Sequence, residues 1–134
     1  MRATFFLQTS TIGPEGIGSQ LVQTLVANGN DVQSGGHTGE DLRALTNTHI
    51  LRDLAQSRQI LEDLTAQEIF AVAYPRGGVN DRVAEQAVQT GYLFGVTLAP
   101  SGDAGFDRAQ FLRLPSNLIT ATTTEQTLKT LVGV

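Results

Sequence analysis

His37, one of only two histidines in the chain, lies inside the stretch SGGHTGEDL, Ser34 to Leu42, closely followed by Glu40 and Asp41. One imidazole and two carboxylates can hold a divalent metal, or can work as an acid and base on a substrate. The glycines around them, Gly35, Gly36 and Gly39, equally make a solvated turn. Two other stretches carry chemistry-bearing patterns. Gly13, Gly16 and Gly18 stand between an apolar run and a helical pattern, as in loops that place a helix N-terminus against a pyrophosphate. Tyr74-Pro75-Arg76-Gly77-Gly78 sets an aromatic ring and a guanidinium in one tight turn.

The elements that position these residues are legible from periodicity. Ala3–Leu7 (ATFFL) reads as a buried strand, and Ile17, Leu21, Val22, Leu25 and Val26 recur at helical spacing up to a C-capping Gly29. Val32 centres a second strand. Thr46 or Thr48 caps a long helix whose apolar face is Ile50, Leu54, Leu61 and Leu64, with Arg52, Asp53, Arg58, Glu62 and Asp63 placed mostly elsewhere. Ile69–Tyr74 is a third strand ended by Pro75. Asn80 or Asp81 caps a helix carrying Val83, Ala87 and Val88 to Gly91. Tyr92–Leu98 and Phe111–Leu114 are further strands, and Thr124–Val132 a last helix. Alternating strands and helices predict a single α/β domain over 1–134 with a mainly parallel sheet of about five strands. Function then belongs to the loops after strand C-termini: 9–18, 34–42, 75–80 and 100–107.

Composition narrows the classes. The chain has 134 residues, is 40% hydrophobic and 16% charged, and carries a formal net charge of −4. The eight arginines are scattered and Lys129 is the sole lysine, so there is no basic stripe for nucleic acid. There is no cysteine, hence no disulfide, thiol nucleophile or thiolate metal site. No signal peptide and no apolar stretch of membrane-spanning length is visible, so no membrane insertion is expected and the compartment is left open. The glycine loop departs from the dinucleotide pattern: its spacing is G-x-x-G-x-G, and Gln33 and Ser34 stand where an acid would hold a ribose. Nucleotide binding through Gly13–Gly18 is therefore kept as an alternative only.

From Arg2 to about Ile119 the chain resembles the polysaccharide deacetylases, the NodB-homology domain of carbohydrate esterase family four. RATFFL, LVANGNDVQS, DLRAL with the helix after it, FAVAYPRGGVNDRVAEQAVQTGYLFGVTLAPS and FLRLPSNLI follow one another in the family's order. The resemblance implies a partial or distorted (β/α) barrel. It implies metal-dependent removal of N- or O-acetyl groups from sugar polymers, with zinc or another divalent ion held by one Asp and two His. The metal polarises the acetyl carbonyl and activates water, a base takes the water's proton, and a histidine protonates the leaving group.

This chain departs from that pattern. The family's histidines are spaced H-x-x-x-H in a loop like SHTVTHPDL. Aligned without a gap, Ser34, Thr38, Asp41 and Leu42 match, and the histidine positions fall on Gly35 and Gly39. A gapped alignment puts His37 at the first position and still leaves no second histidine. The family's paired aspartates lie on a strand before ATFFL, so the resemblance implies a domain lacking that first strand. No catalytic residue is assigned, and His49 has only a surface or capping role. The expected function is an inactive, saccharide-binding or interaction module without a cofactor. An active deacetylase, with zinc or another divalent metal on His37, Glu40 and Asp41, is the alternative. In the groove turn Tyr74, Pro75, Arg76 and Gly77, Arg76 stands where the family has an aromatic wall. A guanidinium there suits an anionic group instead. With about five strands the barrel cannot close, so a homo-oligomer covering the sheet edges is expected.

Overall fold

The computed structural model describes residues 2–98, 111–116 and 122–132. The elements run β1 (Thr4–Leu7), α1 (Ser19–Ala27), β2 (Asp31–Ser34), α2 (Asn47–Thr65), β3 (Ala71–Ala73), α3 (Asp81–Gln89), β4 (Phe94–Thr97), β5 (Leu114–Pro115) and α4 (Glu125–Val132). All strand pairs are parallel and the sheet order is β1-β2-β3-β4-β5. Chain-adjacent strands are thus sheet neighbours throughout, which is the winding of a (β/α) barrel arc. A dinucleotide-binding sheet reverses its strand order and binds at the reversal. Among the described residues this sheet has no reversal.

Register places the helices. Leu7, Ser34, Val72 and Gly95 lie in one row across four strands. The Ser34 hydroxyl meets the Ser57 hydroxyl of α2 at 2.8 Å, so this face of the sheet carries the helices. Val22 of α1, Ile50, Leu54 and Leu61 of α2, Val83 and Ala87 of α3, and Val32 and Val72 of the sheet form one core with no solvent exposure. Each fully buried aliphatic side chain contributes roughly 1.5–3 kcal/mol of transfer free energy.

The ends of the helices follow the capping rules. Thr46, not Thr48, caps α2 by accepting from the His49 N–H, and Asn80 rather than Asp81 caps α3 by accepting from the Val83 N–H. Gly29, at φ 81°, closes α1.

Four expectations are corrected. The β1 segment is buried only at Leu7, and Phe5 is exposed, because β1 is an edge strand among the described residues. Helix α1 starts at Ser19; Ile17 instead bridges to Ile12. Leu21 and Val88 point to solvent, because the apolar stripes of α1 and α3 are narrower than the runs of apolar letters. Asp53 lies in the core stripe of α2 and is buried. The loop expected at 100–109, with its candidate site 100–107, lies outside the described residues, as does 117–119 of FLRLPSNLI.

Candidate functional site

The loops after β1, β2 and β3 meet at the C-terminal edge of the sheet. The β2 loop is held from both sides. Gly35 donates its N–H to the Leu7 carbonyl at 2.8 Å, and the Thr9 N–H donates to the Gly36 carbonyl at 3.0 Å, extending the β1–β2 pairing into the loops. From below, buried Asp53 of α2 accepts the His37 N–H at 2.9 Å, the Thr38 N–H at 2.9 Å and the Thr38 hydroxyl at 2.7 Å. A carboxylate accepting three donors is well compensated for its burial, which is why an acid can sit in an apolar stripe.

The expected grouping of His37, Glu40 and Asp41 does not form. His37 Nδ1 is hydrogen-bonded to the Thr9 hydroxyl at 2.9 Å. Asp41 turns away: it accepts from the Arg43 N–H at 3.0 Å and from Arg43 Nη2 at 2.6 Å, packed beside Gly78 of the β3 turn. The Arg43 guanidinium, with Arg76 adding to it, holds the Asp41 carboxyl well below the usual range, at about 2. Glu40 remains near His37, and both line a cavity of about 470 Å³ against α2, together with His49, Arg52, Asp53 and Gln56. His37 also borders a second cleft of about 630 Å³ toward the β1 loop.

The positions that the ungapped alignment gives to metal histidines are tight or strained for a side chain. A Cβ on Gly35 would lie 3.0 Å from the Leu7 carbonyl carbon and 3.2 Å from the Gln8 nitrogen. Gly39, at φ 78°, has the Gln8 side-chain amide where its own Cβ would be, and that amide donates to the Thr38 carbonyl at 3.1 Å. Among the described residues no three His, Asp or Glu side chains converge as a metal would require. The hydrogen bond on His37 Nδ1 leaves Nε2 free for a ligand, but Asp41 is clamped by Arg43 and the described residues bring no second histidine to it, so this donor set falls short of the family's one Asp and two His.

The groove turn is a single helical turn over Pro75–Gly77. Gly77 takes φ 69° and Arg76 takes φ 57°, a left-handed conformation that is uncommon for a residue with a side chain. Arg76 is exposed, whereas Tyr74 is buried with its ring over Gly95, where a Cβ would come within 2.6 Å of the phenol oxygen. Among the described residues the Tyr74 hydroxyl has no hydrogen-bond partner, and burial pushes its pKa far up. Tyr74 is thus part of the core, and Arg76 is the exposed side chain of this turn.

The Gly13–Gly18 loop uses its own amides. Gly13 donates to the Ile17 carbonyl at 3.0 Å, Gly16 to the Gly13 carbonyl at 3.2 Å and Ile17 to the Thr11 carbonyl at 2.8 Å. A phosphate cradle needs those N–H groups free.

Several residues of this edge carry no local signal in the sequence: Gln8, Thr9, Arg52 and Gln56. Asp53 does carry one. Asp53 and Ser57 interrupt the apolar stripe Ile50, Leu54, Leu61 at core spacing, and a polar pair in a core stripe marks something to be satisfied.

The parallel winding and the three loops define a deacetylase-type (β/α) domain, and comparison with known proteins agrees. The polysaccharide deacetylase family model matches residues 1–95, and the chain belongs to that family. It is 27% identical over 114 residues to YxkH of Bacillus subtilis (strain 168), a protein assigned by name to the polysaccharide deacetylases. That match covers 83% of this chain and 40% of YxkH. The crystal structure of BC0361, a polysaccharide deacetylase from Bacillus cereus, superposes with a TM-score of 0.87 at 26% identity, covering 96% of this chain and 41% of that one. BA3943 of Bacillus anthracis, described as a pseudoenzyme of carbohydrate esterase family four, shares the fold with a TM-score of 0.63 at 22% identity, over 68% of this chain and 31% of its own. The chain thus spans about 40% of the length of the first two relatives. Among the described residues, no helix is long and apolar enough to cross a membrane.

Proposed function

We propose that this chain is a saccharide-binding domain on a deacetylase scaffold that has given up metal-dependent hydrolysis. The observation that carries this reading is the backbone at the two aligned ligand positions. A side chain on Gly35 would press on the β1 backbone, and Gly39 holds a left-handed φ of 78° that a histidine rarely adopts, so moving the Gln8 side chain aside does not by itself rebuild a histidine pair. Without the metal, neither carbonyl polarisation nor water activation has an agent here. That a protein of the same fold is described as a pseudoenzyme of this esterase family is consistent with the reading. Saccharide binding is supported by the open cavity beside the β2 loop, whose walls are mostly planar polar side chains suited to paired hydroxyls.

The test combines two measurements on the intact chain. Zinc, cobalt and manganese are titrated while bound metal is read by mass spectrometry, and acetate release is followed on acetylated chito-oligosaccharides. No uptake and no acetate are expected. Near one equivalent of metal with chelator-sensitive acetate release would overturn the reading in favour of an active deacetylase.

The same reading includes a second copy of the chain as partner. β1 and β5 are the sheet edges among the described residues, and Phe5 and Phe94 are exposed on edge strand β1 and on β4 beside β5. Sedimentation should give a dimer or larger, and a well-behaved monomer across the micromolar range would refute it.

A further inference from the structure

The cavity against α2 brings charged side chains of both signs together. Its walls come from two separate elements: His37 and Glu40 from the β2 loop, and His49, Arg52 and Gln56 from successive turns of one face of α2. Asp53 forms the floor, but its carboxylate is already answered by the three donors of His37 and Thr38. Two charges are left over. Among the described residues, neither Glu40 nor Arg52 has an ion-pair partner, and the two do not pair with each other across the cavity. This contrasts with Asp41 and Arg43 in the same loop region, which satisfy each other.

We propose that this cavity binds a sugar bearing a carboxylate, with Arg52 taking the carboxylate and Glu40 accepting from ring hydroxyls. The proposal rests on the saccharide-binding reading and names its ligand class. A neutral sugar would cover Arg52 without supplying a counter-charge. A sugar acid supplies the carboxylate that a guanidinium fork binds through two parallel hydrogen bonds, and it brings hydroxyl donors for Glu40 as well. His49 and Gln56, one turn to either side of Arg52, offer further hydrogen-bonding groups for the ring. The protein's overall charge of −4 gives no long-range attraction for an acid, so the preference comes from the cavity.

The test uses D-glucuronate and D-glucuronamide, which share a ring and differ in charge, together with glucose, titrated into the intact chain and followed by two-dimensional NMR. Glucuronate is expected to bind at least tenfold tighter than glucuronamide, with shifts centred on His49, Arg52 and Gln56. Arg52→Gln should abolish that preference, and Arg76→Gln should leave it intact. Arg52 is exposed on α2, so its variant folds, as unchanged dispersion of the spectrum would verify. Equal binding of all three sugars would overturn the acidic-sugar assignment and leave saccharide binding standing. A charge preference lost in Arg76→Gln but kept in Arg52→Gln would move the site to the β3 turn and also overturn it. No binding of any sugar would overturn both readings.

Discussion

Two donors of Thr38, its N–H at 2.9 Å and its hydroxyl at 2.7 Å, converge on a single oxygen of Asp53. The other oxygen takes the N–H of His37. One helical carboxylate thus sets the path of the whole β2 loop, including the histidine that faces both clefts.

Asp53→Asn should therefore be costly. The amide keeps the size but turns one acceptor into a donor facing donors. A loss of about 2–3 kcal/mol is expected by urea unfolding, since buried donors are left unsatisfied and a charge-assisted bond is removed. The His37 and Thr38 amides should also lose hydrogen-exchange protection. An Asn variant within about 0.5 kcal/mol of the parent, below the ordinary worth of one such bond, would show that the clamp is dispensable.

Histidines placed at Gly35 and Gly39 are not expected to create a metal site. Gly39→His forces a side chain onto φ 78° and into the Gln8 amide. The left-handed conformation alone costs about 1–2 kcal/mol. The double variant Gly35→His/Gly39→His should melt lower than the parent and still bind no zinc in calorimetric titration. Tight, stoichiometric zinc in the double variant would mean the loop can rearrange.

The Asp41–Arg43 pair predicts a specific acid limb. The folded-state pKa of Asp41 is lowered from 3.8 to about 2, so its contribution is present above the unfolded value and is lost as pH falls from near 4 through about 2. The pair is exposed, so the effect is small and screened by salt. Comparing Asp41→Asn with the parent by chemical unfolding, the stability difference should be flat from pH 5 to 8 and vanish toward pH 2. A difference that persists at pH 2 would assign it to something other than the charge.

The chain's two tyrosines should behave oppositely on loss of their hydroxyls. Tyr92 donates to the Leu54 carbonyl at 3.0 Å, so Tyr92→Phe should cost about 1 kcal/mol. The Tyr74 hydroxyl is buried without a partner among the described residues, and Tyr74→Phe should be neutral or stabilising by up to about 1 kcal/mol. Burial raises Tyr92 to about 12 and Tyr74 further, so the neutral forms contribute stability that is complete below pH 10 and lost as pH rises through those values. Absorbance near 295 nm should show no phenolate before unfolding; a titration near pH 10 with the fold intact would contradict the burial.

Much of the architecture is legible in the order of the residues. Period-2 and period-3.6 patterns place nearly every element, because apolar residues sit where a strand or helix face meets a core. Capping side chains fix helix starts to within a residue or two, because their bonds reach only two or three residues along the chain. The family is legible from ordered motifs.

Adjacency across the fold is not legible there. His37, Glu40 and Asp41 are neighbours in sequence, yet the structure pairs His37 with Thr9, Asp41 with Arg43, and leaves Glu40 at a cavity with His49 and Arg52. A loop of glycines has no periodicity to say which way each side chain points, and its path is decided by partners on β1 and α2. For the same reason only tertiary structure shows that Gln8 fills the place of a residue at Gly39, and that the acid in the stripe of α2 faces three donors from the loop after β2. The sequence determined the family and which residue types stand in the β2 loop. Long-range packing decided what each of them meets, because hydrogen bonds and contacts between distant segments exist only once the sheet has brought its loops to one edge.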